Sequence, residues 1–238
     1  AMGTYTDLPY TVKGMDLAFS GLMSAAKESR APLEDVCHSF QETAFAMCVE
    51  VTERAMSLAG KNEAMLVGGV GANRRLQEML RTMCDDRGAQ FYVPEQKYLG
   101  DNGAMIAYTG RLMLESGQSL PIESSKINPS YRSDDVEVTW KGPEQLPVPH
   151  DGQYSPARFA RGAEAIIEFS DGTAAKRRLV KRYRVPALDR RLIAERTRAE
   201  ARLISAARHA GVPTPVMSDI TADTIVMEQV KGTLLTQD

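Results

Sequence analysis

One stretch, residues 64–80 (AMLVGGVGANRRLQEML), constrains the fold of this chain more than any other. An apolar run enters a turn containing Gly68, Gly69 and Gly71, and an amphipathic helix then leaves it. One face of this helix is predicted to carry Leu76, Met79, Leu80 and Met83. Strand, glycine turn and helix in this order are typical of α/β proteins that bring backbone N–H groups up to a phosphate. The spacing is neither GxGxxG nor that of a P-loop. The alternative is therefore that this turn is only a tight connection between strand and helix and binds no ligand.

The composition predicts a cytoplasmic protein that does not bind a membrane. The 238 residues, 43% of them hydrophobic, are enough for one large or two small domains. The sequence has no apolar run long enough to span a bilayer and no signal-peptide pattern. The three cysteines form no CxxC pair, which indicates reduced thiols.

Charge and proline content divide the chain into two predicted domains. Residues 1–150 carry 14 Lys and Arg against 20 Asp and Glu, whereas residues 151–238 carry 15 against 11. The stretch 141–156 is rich in proline, glycine and polar residues and is predicted to be an extended linker. The domains are therefore predicted at 1–140 and 157–238. Both ends break off abruptly, and we expect a piece of a longer protein.

The first domain is predicted to alternate strands and helices. The predicted elements are an extended segment from residue 11 that runs into a helix near Ser20, a long helix over 33–58, strands at 65–67 and 89–93, and a helix that follows Asp101. Asp101 stands where the N-cap of this helix is expected, and Asn73 stands at the expected N-cap of the preceding helix. Each could instead present its side chain to a metal or a nucleotide at the mouth of a sheet.

Four blocks of the first domain, KGMDLAFSGL, ETAFAM, LVGGVGANRRL and GDNGAMIA, resemble the C-terminal half of the archaeal and eukaryotic TsaD family. That family holds the catalytic subunit of the KEOPS complex, which makes threonylcarbamoyladenosine in tRNA. The resemblance implies an actin-like fold, of the ribonuclease-H-like and sugar-kinase-like type. It also implies that Gly68, Gly69 and Asn73 contact the threonylcarbamoyl-adenylate, and that Asp101 is a ligand of a catalytic iron or zinc ion.

This chain departs from the family in its histidines. The family's other metal ligands lie upstream in an HxxxH-type motif, whereas the histidines here, His38, His150 and His209, are not so arranged. Asp101 alone cannot hold a catalytic metal. We therefore expect the chain by itself to be inactive in the transfer reaction.

The second domain has the element order of a protein-kinase N-lobe. A strand is predicted over 161–169, a hairpin turn at 170–172, a returning strand with Lys176, a long helix over about 188–210 and a last strand at 224–228. A kinase needs a lysine on the ATP phosphates, fixed by a glutamate of the helix, and the candidates are Lys176 and Glu200. The alternative is that both belong to a solvated charged surface.

Several segments of the second domain, among them GAEA, ERTRAEARL and IVMEQVKG, resemble the small atypical kinase of KEOPS, which in some archaea is fused behind the TsaD-type subunit. The resemblance implies a site for ATP with magnesium. Its residues would be the loop Gly162, Ala163, Glu164, Ala165, Ile166 and Ile167, the pair Lys176 and Glu200, and the hinge residues Glu228 and Val230. Lys181 is a nearby competitor of Lys176. The catalytic loop of a kinase belongs to its C-lobe and is absent here, so no phosphoryl transfer by this chain is expected.

The stretch 176–191 holds eight Lys and Arg residues and one acidic residue, Asp189. It is predicted to be either a solvated basic face or a patch that binds tRNA phosphates with a strong salt dependence.

The preferred hypothesis is a bifunctional KEOPS fusion protein with tRNA, threonylcarbamoyl-adenylate and other KEOPS subunits as partners. One alternative is an actin-like sugar or acetate kinase, which leaves the second domain unexplained. The other is a non-catalytic assembly module, which should be indifferent to loss of Asn73.

Overall fold

The computed structural model describes residues 3–132, 135, 136, 138, 140 and 159–231. This part of the chain forms a mixed α/β unit followed by an antiparallel sheet with one long helix. The predicted linker at 141–156, with His150, lies outside the described residues, and its assignment stays a prediction. Within the described residues, no helix is long and apolar enough to cross a membrane.

The first unit consists of four short strands and four helices. These are β1 (Val12–Lys13), β2 (Asp16–Leu17), α1 (Ser20–Glu28), α2 (Leu33–Leu58), β3 (Glu63–Met65), α3 (Arg74–Arg87), β4 (Gln90–Tyr92) and α4 (Gly103–Glu115). The strands β1 and β2 form an antiparallel hairpin, and β3 lies parallel to β4. The start of α1 and both ends of α2 agree with the sequence prediction, whereas β3 begins and ends two residues earlier than predicted.

The core of the first unit lies between α2 and α3. The predicted apolar face of α3 is confirmed, since Leu76, Met79, Leu80 and Met83 are all buried. They pack with Val49 and Met56 of α2. Each such side chain contributes roughly 1.5–3 kcal/mol through burial. This packing fixes the start of α3, and with it the glycine turn that precedes it.

The second unit is a five-stranded antiparallel sheet with one long helix. Its elements are β5 (Phe159–Arg161), β6 (Ala165–Ser170), β7 (Thr173–Arg178), α5 (Pro186–His209), β8 (Met217–Ile220) and β9 (Thr224–Glu228), with strand order β5-β6-β7-β9-β8. The predicted hairpin turn is confirmed. Asp171 and Gly172 both have positive φ, at 46° and 78°, as a tight β6–β7 connection requires.

Two strand predictions for the second unit are wrong in detail. The single strand predicted over 161–169 is interrupted, because the backbone N–H of Gly162 donates to the carbonyl of Ala165 at 2.9 Å and reverses the chain. The residues on either side therefore pair with each other, Arg161 opposite Ile166. The sequence prediction also missed β8, whose residues do not alternate in burial as a half-buried strand would.

Candidate nucleotide-binding sites

The glycine turn of the first unit uses its three glycines for different reasons. Gly68 has φ 87° and ψ 169°, a backbone region open almost only to glycine. A Cβ on Gly71 would lie 3.2 Å from Leu99 and 3.3 Å from Leu66, so packing excludes a larger residue. Gly69 has no positive φ and open space where a Cβ would stand. Neither strain nor packing requires a glycine there. Close approach of a ligand to the backbone would explain why this position is a glycine.

An open groove of about 1010 Å³ lies beside this turn. Gly68 and Gly69 line one side, and Asp101 lines another together with Met105 and Ile106 at the start of α4. Among the described residues, the N–H groups of Gly68 and Gly69 have no hydrogen-bond partner. The structure thus brings three of the four predicted adenylate and metal residues to one groove and leaves two backbone donors available there.

Asn73, the fourth of these residues, is the N-cap of α3 and is not in the lining of the groove. Its Oδ1 accepts from the N–H groups of Arg75 at 2.9 Å and Leu76 at 3.4 Å. Its Nδ2 donates to Oε1 of Gln41 on α2 at 3.3 Å. The capping alternative is therefore confirmed, and Gln41, which sequence reasoning missed, orients the amide. Contact of Asn73 with a nucleotide stays a prediction.

The position of Asp101 in the sequence suggested that it is the N-cap of α4, but the N-cap is Asn102. The helix starts one residue later than expected, and Oδ1 of Asn102 accepts from the N–H of Ala104 at 2.9 Å. Asp101 is exposed, and no hydrogen bond or ion pair involves its carboxylate within the described ranges. These ranges also contain no group of three or more His, Cys, Asp or Glu side chains that could hold a metal ion. Asp101 offers one oxygen ligand, which does not make a metal site by itself.

A second groove, of about 430 Å³, opens on the sheet of the second unit. Four of the six predicted loop residues line it: Gly162, Glu164, Ala165 and Ile167. The predicted Lys176 also lines it, as do two cations that were not predicted, Arg161 and Arg178. The predicted ion pair is present, because Nζ of Lys176 lies 2.5 Å from Oε1 of Glu200. Both side chains are about one quarter exposed, at 28% and 24%. This pair is part of a half-buried cluster and does not belong to the solvated surface.

Sequence reasoning missed the cations that hold Glu164 in this groove. Arg178 donates from Nη1 to Oε2 of Glu164 at 3.1 Å, and Arg54 of α2 donates from Nε to Oε1 at 2.8 Å. Arg196 of α5 lies 3.5 Å from Oε2. Burial alone would raise the pKa of Glu164, but Arg196, Arg54 and Arg178 outweigh it and hold this pKa below its ordinary value. The loop carboxylate is therefore ionised and anchored to three separate elements.

The remaining predicted ATP residues lie outside the lining of the second groove. The carbonyl of Ala163 accepts from Nζ of Lys181. Oε2 of Glu228 accepts from the N–H of Val216 at 3.3 Å, and Val230 follows β9 with 66% of its surface exposed. Ile166 is half-buried in β6. The hinge role of Glu228 and Val230 stays a prediction.

Lys181 does not compete with Lys176 for the groove. Its Nζ lies 2.6 Å from Oε1 of Glu53 on α2, and both side chains are buried. Burial holds the pKa of Lys181 below its ordinary value, although Glu53 favours the charged form. The lysine therefore belongs to the contact between the two units.

Buried ion pairs join the second unit to α2 of the first. Nη2 of Arg184 lies 2.5 Å from Oε2 of Glu50 and its Nη1 lies 3.1 Å from Oδ1 of Asp189. The hydroxyl of Tyr10 also donates to Glu50, at 2.6 Å. Tyr183 packs in the core cluster of α2 and α3. These contacts place the second groove in a fixed position relative to α2.

Most cations of the basic stretch 176–191 have an ion-pair partner within the chain. The pairs are Lys176 with Glu200, Arg177 with Glu168, Arg178 with Glu164 and Glu200, Lys181 with Glu53, Arg182 with Asp86, Arg184 with Glu50 and Asp189, and Arg191 with Asp7. The pairs of Lys181 and Arg184 are buried, so these two cations belong to the intramolecular contact. Arg177, Arg182 and Arg190 are exposed, so part of the stretch is a solvated basic face, and its binding of tRNA phosphates stays a prediction.

Comparison with known proteins finds a family that matches most of the first unit and relatives that are similar to nearly the whole chain. The family described as "TsaD: tRNA N6-adenosine threonylcarbamoyltransferase" matches residues 1–108. A protein of Methanoculleus marisnigri is 68% identical over 98% of this chain, and one of Methanospirillum hungatei is 66% identical over 98%. A protein of Haloquadratum walsbyi is 52% identical over 99%. All three are named "Probable bifunctional tRNA threonylcarbamoyladenosine biosynthesis protein".

The chain spans less than half of the length of these relatives: 44% of the first two and 45% of the third. The match of the family falls on the unit that contains the glycine turn, Asn73 and Asp101, and the similarity to the bifunctional proteins runs through the second unit as well. Residues 1–108 are therefore similar to the TsaD family of tRNA N6-adenosine threonylcarbamoyltransferases, and nearly the whole chain is similar to a segment of proteins named for bifunctional tRNA threonylcarbamoyladenosine biosynthesis.

Proposed function

We propose that the full-length protein transfers a threonylcarbamoyl group from its adenylate to the N6 amine of an adenosine in tRNA. The observation that carries this proposal is the groove that joins Gly68 and Gly69 to Asp101. Backbone N–H groups without partners are suited to bind a phosphate or an oxyanion, because both carry negative charge that the donors stabilise without reorganising. The names of the relatives and of the family support the same reaction.

In this proposal the residues of the first unit bind and orient the adenylate. The N–H groups of Gly68 and Gly69 hold its phosphate or carbonyl oxygen, and the open space beside Gly69 admits the ligand to the backbone. The resemblance implies an iron or zinc ion at Asp101, but one carboxylate does not hold such an ion. No step proposed here depends on the metal. Asp101 would be one ligand of a site that further residues of the full-length protein complete.

We further propose that the second unit is a kinase-like N-lobe that binds ATP with magnesium. Lys176 would contact the phosphates and Glu200 would hold its ammonium group. The 2.5 Å pair between these residues, at the edge of a groove on an antiparallel sheet, supports this assignment. The site would serve ATP hydrolysis or protein phosphorylation within a complex of KEOPS subunits.

The transferase proposal is tested by replacing Asp101 with alanine in the full-length gene and measuring threonylcarbamoyladenosine in total tRNA by nucleoside mass spectrometry. The modified nucleoside should be lost while the protein level is unchanged, because Asp101 is exposed and caps no helix. Glu95→Ala is the matched control: it removes an exposed carboxylate of the same loop that is not in the groove lining. A normal level of the nucleoside in the Asp101 variant would contradict the proposal and favour a non-catalytic assembly module.

A further inference from the structure

Arg178 joins the two carboxylates of the second groove. It lies on β7 two residues after Lys176, so both side chains leave the same face of the sheet. Its Nη1 lies 3.1 Å from Oε2 of Glu164, and its Nη2 lies 2.6 Å from Oε2 of Glu200. Its side chain is 12% exposed. A planar guanidinium with fixed donors is suited to hold two carboxylates in one geometry.

The carboxylate of Glu200 is shared between two cations, each on its own oxygen. Oε1 faces Lys176 and Oε2 faces Arg178. Because Arg178 occupies one oxygen, the carboxylate cannot rotate freely, and Lys176 meets the other oxygen with a single donor. The ammonium group has three donors and keeps two for a ligand in the groove.

Arg178 also offsets negative charge that would repel a polyphosphate. Glu164 lines the groove, and Glu200 lies beside Lys176 at its edge. Glu164 has two other cations, Arg54 and Arg196. Among the described residues, Glu200 has ion pairs with Lys176 and Arg178 alone. Without Arg178, Glu200 would compete with the phosphates for Lys176.

We infer that Arg178 is a positioning residue of the ATP site, which fixes Glu200 so that Lys176 can present its ammonium group to the phosphates. The inference rests on the proposed ATP site and deepens it. Arg178 need not touch the nucleotide, since it acts through Glu200 and through the loop carboxylate Glu164.

The test measures the Kd of MgATP and of adenosine for the full-length protein by titration calorimetry. Arg178→Ala should raise the Kd of MgATP by about 10- to 100-fold, the expected effect of losing one charge-assisted hydrogen bond. The Kd of adenosine should stay within about twofold, because adenosine has no phosphate for Lys176 to hold. Arg177→Ala is the matched control. Arg177 is the neighbouring arginine of β7, is half-exposed, and pairs with Glu168 outside the groove lining, so its loss should change neither Kd by more than about twofold.

Two further variants make the mechanism specific. Arg178→Lys keeps the charge but loses the fork, so we expect an intermediate Kd for MgATP. Adding Glu164→Gln to Arg178→Ala should recover little of the affinity for MgATP, because Glu164 keeps Arg54 and Arg196 whereas Glu200 is the carboxylate that loses its second cation. If Arg178→Ala does not fold, Arg178→Lys decides the question with the same two ligands, since an unchanged Kd of MgATP in that variant would refute the positioning role.

Failure of this inference differs from failure of the proposed ATP site. If Lys176→Ala leaves the Kd of MgATP unchanged, the ATP site itself is wrong. If Lys176→Ala weakens MgATP binding but Arg178→Ala does not, the site stands and the positioning role is refuted. Equal losses for MgATP and adenosine in Arg178→Ala would show a purely structural role and would also overturn the inference.

Discussion

Replacing Arg184 with methionine should destabilise the chain by about 3–5 kcal/mol, the cost of removing one partner from a buried ion pair. The Arg184 side chain is 3% exposed and those of Glu50 and Asp189 are 1% and 4% exposed. Methionine fills much of the volume of the arginine stem but leaves both carboxylates without this cation. Glu50 keeps Arg54 at 2.5 Å and Arg196 at 2.8 Å, so we expect the lower end of the range, about 3 kcal/mol.

Urea denaturation followed by far-ultraviolet circular dichroism gives the free energy of unfolding of each variant from its midpoint and slope. Arg190→Met is the matched control. Arg190 is exposed and has no ion pair in the part of the chain that the structure describes, so its loss should change the free energy by at most about 0.5 kcal/mol. Glu50→Gln, alone and combined with Arg184→Met, measures the coupling between the two side chains. A loss below about 1 kcal/mol for Arg184→Met would refute the reasoning that its removal leaves buried carboxylates without a compensating charge.

Gly68→Ala should lower the free energy of unfolding by about 1–3 kcal/mol in urea denaturation, because alanine is strained at φ 87°. Gly69→Ala should leave it unchanged but weaken binding of AMP in calorimetry, and equal AMP affinity would argue against ligand approach at this glycine. Asn73→Asp keeps the capping oxygen, so stability should change by less than about 0.5 kcal/mol. The same variant loses the Nδ2 donor, and unchanged AMP binding would limit Asn73 to its capping role. The pKa of Glu164 is lower in the folded chain than its ordinary value of 4.5, so the folded state binds fewer protons and stability is lost as the pH falls from about 4.5 through the folded pKa. Glu164→Gln should flatten this acid limb in urea denaturation from about pH 6 to about pH 3, and an unaltered pH profile would contradict the assignment.

Local patterns were sufficient to predict several helices and one turn, but not the break between β5 and β6 that lines the second groove. Both ends of α2, the buried face of α3 and the turn at Asp171 and Gly172 follow from helical periodicity and turn chemistry, which depend on residues close in the sequence. The pairing of Lys176 with Glu200 was predicted as well, but only with the help of the resemblance to the small atypical kinase, since the order of strand and helix left a solvated charged surface as the alternative. Predictions at element ends were less accurate, as the shift of β3 shows.

The capping of α4 shows where a local pattern becomes ambiguous. Asp101 and Asn102 are adjacent and both residue types cap helices well, so the sequence could not decide between them. The structure assigns the cap to Asn102 and leaves the carboxylate of Asp101 in the groove.

The sequence by itself determined the main helices of the described residues, the β6–β7 turn and the residue types available at the two grooves. Only the tertiary structure decided which charges meet, because several of these ion pairs join side chains that are far apart along the chain. Arg184 and Lys181 pair with carboxylates of α2 that precede them by more than 120 residues. These two cations of the basic stretch therefore form an internal contact, which its composition could not show. The partners of Glu164 could not be predicted for the same reason, since one of them, Arg54 on α2, lies 110 residues before it in the sequence.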